Sequence, residues 1–305
     1  MKGVITIFAL PQELEDLALT LNLLKRNSVF RDKTVALKVE VTMCLSDELT
    51  DWKNTILPKN YIAERTTELC QKFLSGWCDY ELILETGSEI LGCVSQRRKS
   101  LHNNPDADFF IWLDCDFIFK DTTLFYSVAS YKMIKESGID NFIITPQFVK
   151  QWDNTWDIIV NEKFINQPIN YHESSDVYED TLIEHGEINI KEIRSIKFAG
   201  GWFTCLSADL LKKTGIPESF GHYGLEDTFI IECMKIMQLE NNTTSQFIME
   251  NLVIGESYIQ RPNDTIKKYI ASKNRKQEFI KIATDNFRNE IKNFYERSYS
   301  STNSL

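Results

Sequence analysis

No two of the seven cysteines stand at C-x-x-C spacing. An odd, scattered set, with Cys115 inside an apolar run, argues for reduced thiols and against a disulfide framework. No stretch approaches the roughly 18 consecutive apolar residues of a membrane span. The first strand begins at Val4 with no basic segment and long apolar core before it, so no secretory signal is expected. Both points lead to an expected cytoplasmic location. There is no glycine-rich basic loop after that strand, only Pro11-Gln12-Glu13, which excludes the phosphate cradle of a sugar nucleotidyltransferase. Internal repeats are absent too. Positive charge is short: the net charge of −10 excludes an electrostatic grip on bulk nucleic acid. The deficit is uneven. Residues 261–305 hold ten Lys and Arg against five Asp and Glu, which leaves −15 on residues 1–260. That basic tail leaves open a peripheral contact with an anionic membrane surface; as an ordinary surface it is a solvated helix face.

What the chain does have is Phe109-Phe110-Ile111-Trp112-Leu113-Asp114-Cys115-Asp116. Five apolar residues in a row read as a strand buried on both faces of a sheet. Asp114 and Asp116 fall at its C-terminal end, where open α/β sheets bind ligands. Residues i and i+2 of a strand point the same way. Two carboxylates so placed repel unless a cation lies between them, and a hard divalent ion such as Mg²⁺ or Mn²⁺ would bring a phosphate with it. Asp106-Ala107-Asp108 has the same spacing in a polar turn after Pro105, without a buried strand to present it.

Around this stretch the pattern is strand and helix in alternation. Strands are expected at Val4–Leu10, Val35–Cys44, Tyr80–Leu84 and Asn141–Val149, and helices at Gln12–Arg26, Gly92–Leu101 and Thr123–Glu136. That order predicts an α/β fold with a mostly parallel sheet. Residues 150–195 break the pattern: Trp152, Trp156, Tyr171, His172, Tyr178 and His185 lie among acids and amides. Such an insertion reads as a working loop whose aromatic faces suit sugar rings, or as a surface lid. Next come Phe198-Ala199-Gly200-Gly201-Trp202, a short helix closed by Gly215 and Pro217, and Gly224-Leu225-Glu226-Asp227 ahead of an apolar helix from Phe229 to Met237. As bland features, Glu226 and Asp227 are acids at a helix start, Trp202 is a core residue, and Glu256 is a loop acid after a strand. Ile280, Ala283, Phe287, Ile291 and Phe294 mark an amphipathic C-terminal helix.

In this order the motifs resemble the nucleotide-sugar glycosyltransferases of the GT-A fold, close to the family 2 pattern. The first strand closes at Pro11; Ser46-Asp47 follows the second; Gly92-Cys93-Val94-Ser95-Gln96-Arg97 is similar to the G-x-x-x-x-R segment ahead of the D-x-D strand. Phe198-Ala199-Gly200-Gly201, Gly215-Ile216-Pro217 and Gly224-Leu225-Glu226-Asp227 are similar to the F-G-G, G-F-P and G-G-E-D layout of the beta-1,4-galactosyltransferases. The resemblance spans residues 1–260 as a catalytic domain, with 150–195 as an acceptor-side insertion and 261–305 as a basic helical extension.

The resemblance implies a Rossmann-like, mostly parallel mixed sheet flanked by helices. It implies a metal-dependent transfer of a sugar from a nucleotide-diphosphate donor, UDP-sugar favoured, to a hydroxyl acceptor it leaves unidentified, with inversion. Asp116 would bind Mn²⁺ or Mg²⁺, and Asp114 would contact ribose or reach the metal through water. Asp47 would read the nucleobase, with Arg97 beside the base or the phosphates. Glu226 would hold the sugar or acceptor, Asp227 would be the catalytic base, and Gly201 and Trp202 would line the sugar subsite. Two departures stand out. Leu225 replaces the second glycine of the pair before Glu-Asp. The histidine that often completes the metal site is missing, and Glu256 occupies about its place. The rival readings are a phosphohydrolase that forms an aspartyl phosphate on Asp114 or Asp116, and a carbohydrate-binding protein without catalysis.

Overall fold

The computed structural model describes residues 1–31, 34–47, 52, 56–85, 92–152, 168–170, 189–193, 196, 203–239, 244–257 and 273–302. Strand β1 (Lys2–Ala9) leads to helix α1 (Leu14–Arg26), then β2 (Ala36–Cys44), α2 (Lys59–Leu74), β3 (Asp79–Glu85), α3 (Cys93–Asn103) and β4 (Phe109–Asp114). A two-residue strand β5 (Phe117–Ile118), α4 (Thr123–Glu136), β6 (Asn141–Trp152), β7 (Pro168–Asn170) and β8 (Ile190–Ile193) follow. The last part holds β9 (Phe203–Ser207), α5 (Ala208–Thr214), α6 (Glu226–Leu239), β10 (Thr244–Ser257) and α7 (Lys273–Thr302).

One sheet runs in the order β3-β2-β1-β4-β9-β6-β10-β5, with β7 beside β6 and β8 beside β10. The first four strands are parallel to their neighbours. β9 then enters antiparallel between β4 and β6, and β6 and β10 are again parallel. The apolar run at 109–113 therefore sits mid-sheet, with all five residues buried, as its two-faced hydrophobicity requires. α1, α2 and α4 cover one face over Ile5, Ile7, Val39, Val41 and Ile111. α3, α5, α6 and α7 cover the other over Val4, Phe110, Trp112 and Leu206.

Two local expectations are corrected. β4 ends at Asp114, and Asp116 lies in the turn before β5. The strand rule that puts i and i+2 on one face thus does not reach Asp116; the turn aims it. The apolar helix begins at Glu226 rather than at Phe229, so Glu226 and Asp227 belong to its first turn. Phe229 already donates its N–H to the carbonyl of Leu225 at 2.8 Å.

From Ala283 to Phe294 the stripe of α7 packs inside the molecule, while Ile280 is exposed. Phe287 stacks on Phe220 at 6.0 Å between ring centres and meets Phe229 edge-on, and Phe294 also meets Phe229 edge-on. No helix among the described residues is long and apolar enough to cross a membrane.

The approach of β1 to β4 depends on Gly3. A Cβ there would lie 2.2 Å from the ring of Phe109, which is fully buried. Gly3→Ala should therefore lower stability by about 1–3 kcal/mol, the usual cost of overpacking, read as a shift in the urea midpoint. Phe109→Leu in the same chain should recover part of the loss.

Candidate active site

The parallel strands β1, β2 and β4 end on the same side, and α3 starts there. Its first turn fits against residues 216–226. Gly92 lies so close to that segment that a Cβ would fall 2.0 Å from the carbonyl oxygen of His222. The same carbonyl accepts the N–H of Val94 at 3.2 Å, which satisfies one of the donors a helix start leaves unpaired. Ser95 Oγ lies 3.2 Å from His222 Nδ1. Arg98 donates from Nε to the carbonyl of Ile216 at 3.0 Å and from Nη2 to those of Pro217 and Gly221 at 2.6 and 3.2 Å.

Arg97 is the centre of the arrangement. It is 6% exposed. Nη1 is paired with Glu226 Oε1, and Nη2 donates to Asp114 Oδ1 at 3.2 Å. The guanidinium lies 4.6 Å from the centre of the Trp112 ring, a cation–π contact from the strand that ends in Asp114. Burial works against the Arg97 charge, but the acids around it, led by Glu226 and including Asp114 and Asp227, hold the group above its ordinary value. Burial raises the Glu226 carboxyl; Arg97 opposes the rise and the neighbouring Asp227 adds to it. Thus Asp114, Arg97, Glu226 and Asp227 form one electrostatic unit across three elements.

Asp227 is half-buried, and its Oδ1 accepts from the N–H and hydroxyl of Thr228 at 2.6 and 3.2 Å. Leu225 adopts φ 68°, beside Gly224 at φ 96°. The left-handed backbone expected of a paired glycine is therefore kept by a leucine, at a cost of about 1–2 kcal/mol.

Asp116 is half-buried in its turn. Its neighbour Cys115 is 3% exposed, and burial pushes that thiol up. It stays protonated and donates to Glu13 Oε2 at 3.4 Å. β10 returns alongside and pairs Glu256 with Phe117 in register, so its backbone arrives next to the Asp116 turn. Glu256's side chain lies outside the described residues, as do Gly201 and Trp202. Among the described residues no group of three His, Cys, Asp or Glu stands ready to hold a metal. Asp47 follows β2 and is exposed, 3.2 Å from Lys59 Nζ; Lys59 in turn lies over the Trp52 ring at 5.8 Å.

The structure therefore brings Arg97, Asp114, Glu226 and Asp227 together and puts Asp116 on the adjoining turn. Sequence reasoning missed Arg98 and Trp112. Arg98 follows the motif arginine by one place and so points about 100° round the helix. Trp112 stands two before Asp114, on the same strand face.

No family model and no curated protein matches the sequence. Solved structures do match. Staphylococcus aureus TarS 1–349 in complex with UDP-GlcNAc has a TM-score of 0.52 at 15% identity, over 92% of this chain and 64% of that one. GalNAc-T7 with UDP, GalNAc and Mn²⁺ has a TM-score of 0.52 at 10% identity, over 84% of this chain and 43% of that one. The fold is GT-A. This chain spans less than two thirds of the length of either structure.

Arg97→Met should cost about 3–5 kcal/mol, because Glu226 is left buried without its counter-charge. The loss should shrink on acidification. With the opposing arginine gone, Glu226 binds its proton more tightly folded than unfolded, so the variant is favoured at low pH and loses stability as pH rises through the folded pKa. Urea unfolding at pH 5 and pH 8 reads this, and adding Glu226→Gln should remove the pH dependence.

Proposed function

We propose that this chain is a glycosyltransferase that moves a sugar from a nucleotide-diphosphate donor, UDP-sugar favoured, to an acceptor hydroxyl with inversion. The observation that carries the reading is the buried Arg97, which ties Asp114 at the D-x-D strand end to Glu226, the neighbour of Asp227. It gathers a donor-side acid and an acceptor-side acid around one cation at the mouth of the sheet. The solved structures of the same fold, TarS with UDP-GlcNAc and GalNAc-T7 with UDP and Mn²⁺, support a nucleotide-sugar ligand for this chain too.

The residues take these roles. Asp47, exposed after β2, reads the nucleobase. Arg97 and Asp114 face the ribose and diphosphate, and Glu226 keeps Arg97 in place. Asp227 is the base: it takes the proton of the acceptor hydroxyl as that oxygen bonds to the anomeric carbon. The bond from that carbon to the diphosphate oxygen breaks, and its electron pair leaves with the nucleotide diphosphate. Attack from the side opposite the leaving group inverts the centre. Gly201 and Trp202 are assigned to the sugar subsite. The carboxylates at the end of β4 and in the turn after it, Asp114 and Asp116, with the Glu256 backbone paired beside them, fit a hard divalent ion. Asp116 and Glu256 would hold Mn²⁺ or Mg²⁺, which when bound offsets the charge gathering on the leaving diphosphate.

The test is release of nucleotide diphosphate from a panel of nucleotide sugars with Mn²⁺. Turnover of a UDP-sugar is expected. Asp227→Asn should lower kcat by about 10²–10⁴-fold with little change in donor KM, the usual share of a positioned base. Asp116→Ala should abolish the Mn²⁺ dependence. Hydrolysis of phosphomonoesters without any nucleotide sugar would instead establish phosphatase chemistry, and sugar binding without turnover would leave a binding protein.

A further inference from the structure

Threonines in helices commonly return their hydroxyl to the carbonyl four residues back. In this chain Thr66, Thr67 and Thr284 do so, donating to Ile62, Ala63 and Ile280 at 2.7, 2.8 and 2.7 Å. Thr20 of α1 does otherwise. It is 1% exposed, and its Oγ1 reaches across the fold to the carbonyl of Cys115 at 2.6 Å and that of Phe117 at 3.1 Å. Those are the carbonyls of the two residues that flank Asp116. One hydroxyl hydrogen is shared between them, so both are fixed by a single group.

Thr20 is the middle of a longer fastening. At one end Glu13 Oε2 accepts from the Leu10 N–H at 2.7 Å and from the Cys115 thiol at 3.4 Å, which links the end of β1 to the end of β4. At the other end Asn27 Nδ2 donates to the Lys120 carbonyl at 3.2 Å, and the Ser28 N–H to that of Asp121 at 2.7 Å. α1 and its two flanks thus lie as a splint along residues 115–121. Asp116 itself stands between β4 and β5, outside either strand. The side-chain hydrogen bonds to its two neighbours come from a helix almost a hundred residues earlier.

We infer that Thr20 is a positioning residue for Asp116: by holding the carbonyls of the residues before and after it, Thr20 presents the Asp116 carboxylate in one orientation to a divalent cation. This rests on the metal role proposed for Asp116. Valine has the shape of threonine without the hydroxyl, so Thr20→Val removes the hydrogen bond that these two carbonyls share and loosens the turn. Thr20→Ser keeps the donor.

The experiment titrates Mn²⁺ against the full chain in the presence of UDP, read by the loss of the free-ion electron paramagnetic resonance signal. UDP binding without metal is measured in parallel by calorimetry. Thr20→Val should weaken Mn²⁺ by about tenfold, the equivalent of one hydrogen bond, with metal-free UDP binding unchanged. Thr20→Ser should restore the affinity, and Asp116→Asn should remove it. Wild-type Mn²⁺ affinity in Thr20→Val beside a loss in Asp116→Asn would overturn the role of Thr20 and leave the metal site standing. An equal loss of metal-free UDP binding in Thr20→Val would also overturn it, showing a general structural role. Retained Mn²⁺ affinity in Asp116→Asn would remove the metal site itself, and this inference with it.

Discussion

A guanidinium taken out of water is tolerated only where its hydrogen bonds and its charge are both answered. Arg97 meets that requirement with Glu226, Asp114 and the face of Trp112. Each lies on a different part of the chain from Arg97, and Glu226 is 129 residues away. The constraint therefore acts on the fold as well as on the site. α3 must approach the end of β4, and α6 must start close to both. The remaining contacts of α3 serve the same end. Gly92 lets the 216–226 segment come within backbone distance, and Arg98 ties three of that segment's carbonyls to the helix.

The sheet supplies the other half of the geometry. Its parallel strands bring β1, β2 and β4 to a common edge. The antiparallel entry of β9 sends the chain back, through α5 and residues 215–225, to the side where Arg97 waits. β10 then returns along β6 to lay Glu256 beside the short strand that follows Asp116. Asp114 meets Glu226 and Asp227 because the strand order reverses direction at β9, next to the strand that carries Asp114.

Much of this could be read from the residues. The apolar run from Phe109 to Leu113 announced a central strand because no other position in a sheet is dry on both faces. Thr123–Glu136 was legible as a helix to the residue. Other parts were hidden for physical reasons. Asp116 was expected to share a strand face with Asp114, and a turn intervenes; the Thr20 hydroxyl bond to the Cys115 carbonyl spans 95 positions and leaves no local pattern. The start of α6 was misplaced because Leu225 stands in a left-handed conformation that sequence reasoning reserves for glycine. Glu226, expected to hold the sugar or the acceptor, has its carboxylate buried against Arg97, a pairing across 129 positions that no local pattern announces. Gly201 and Trp202, and most of 150–195, lie outside the described residues.

A crystal grown with UDP and Mn²⁺, with diffraction collected at the manganese absorption edge, tests whether Asp116 and Arg97 share one donor site. One anomalous peak is expected, in coordination contact with Asp116. The diphosphate should bridge it toward Arg97, and Asp227 should face the same cleft. A peak away from Asp116, or UDP bound on a surface that neither Arg97 nor Asp227 reaches, would contradict that shared site.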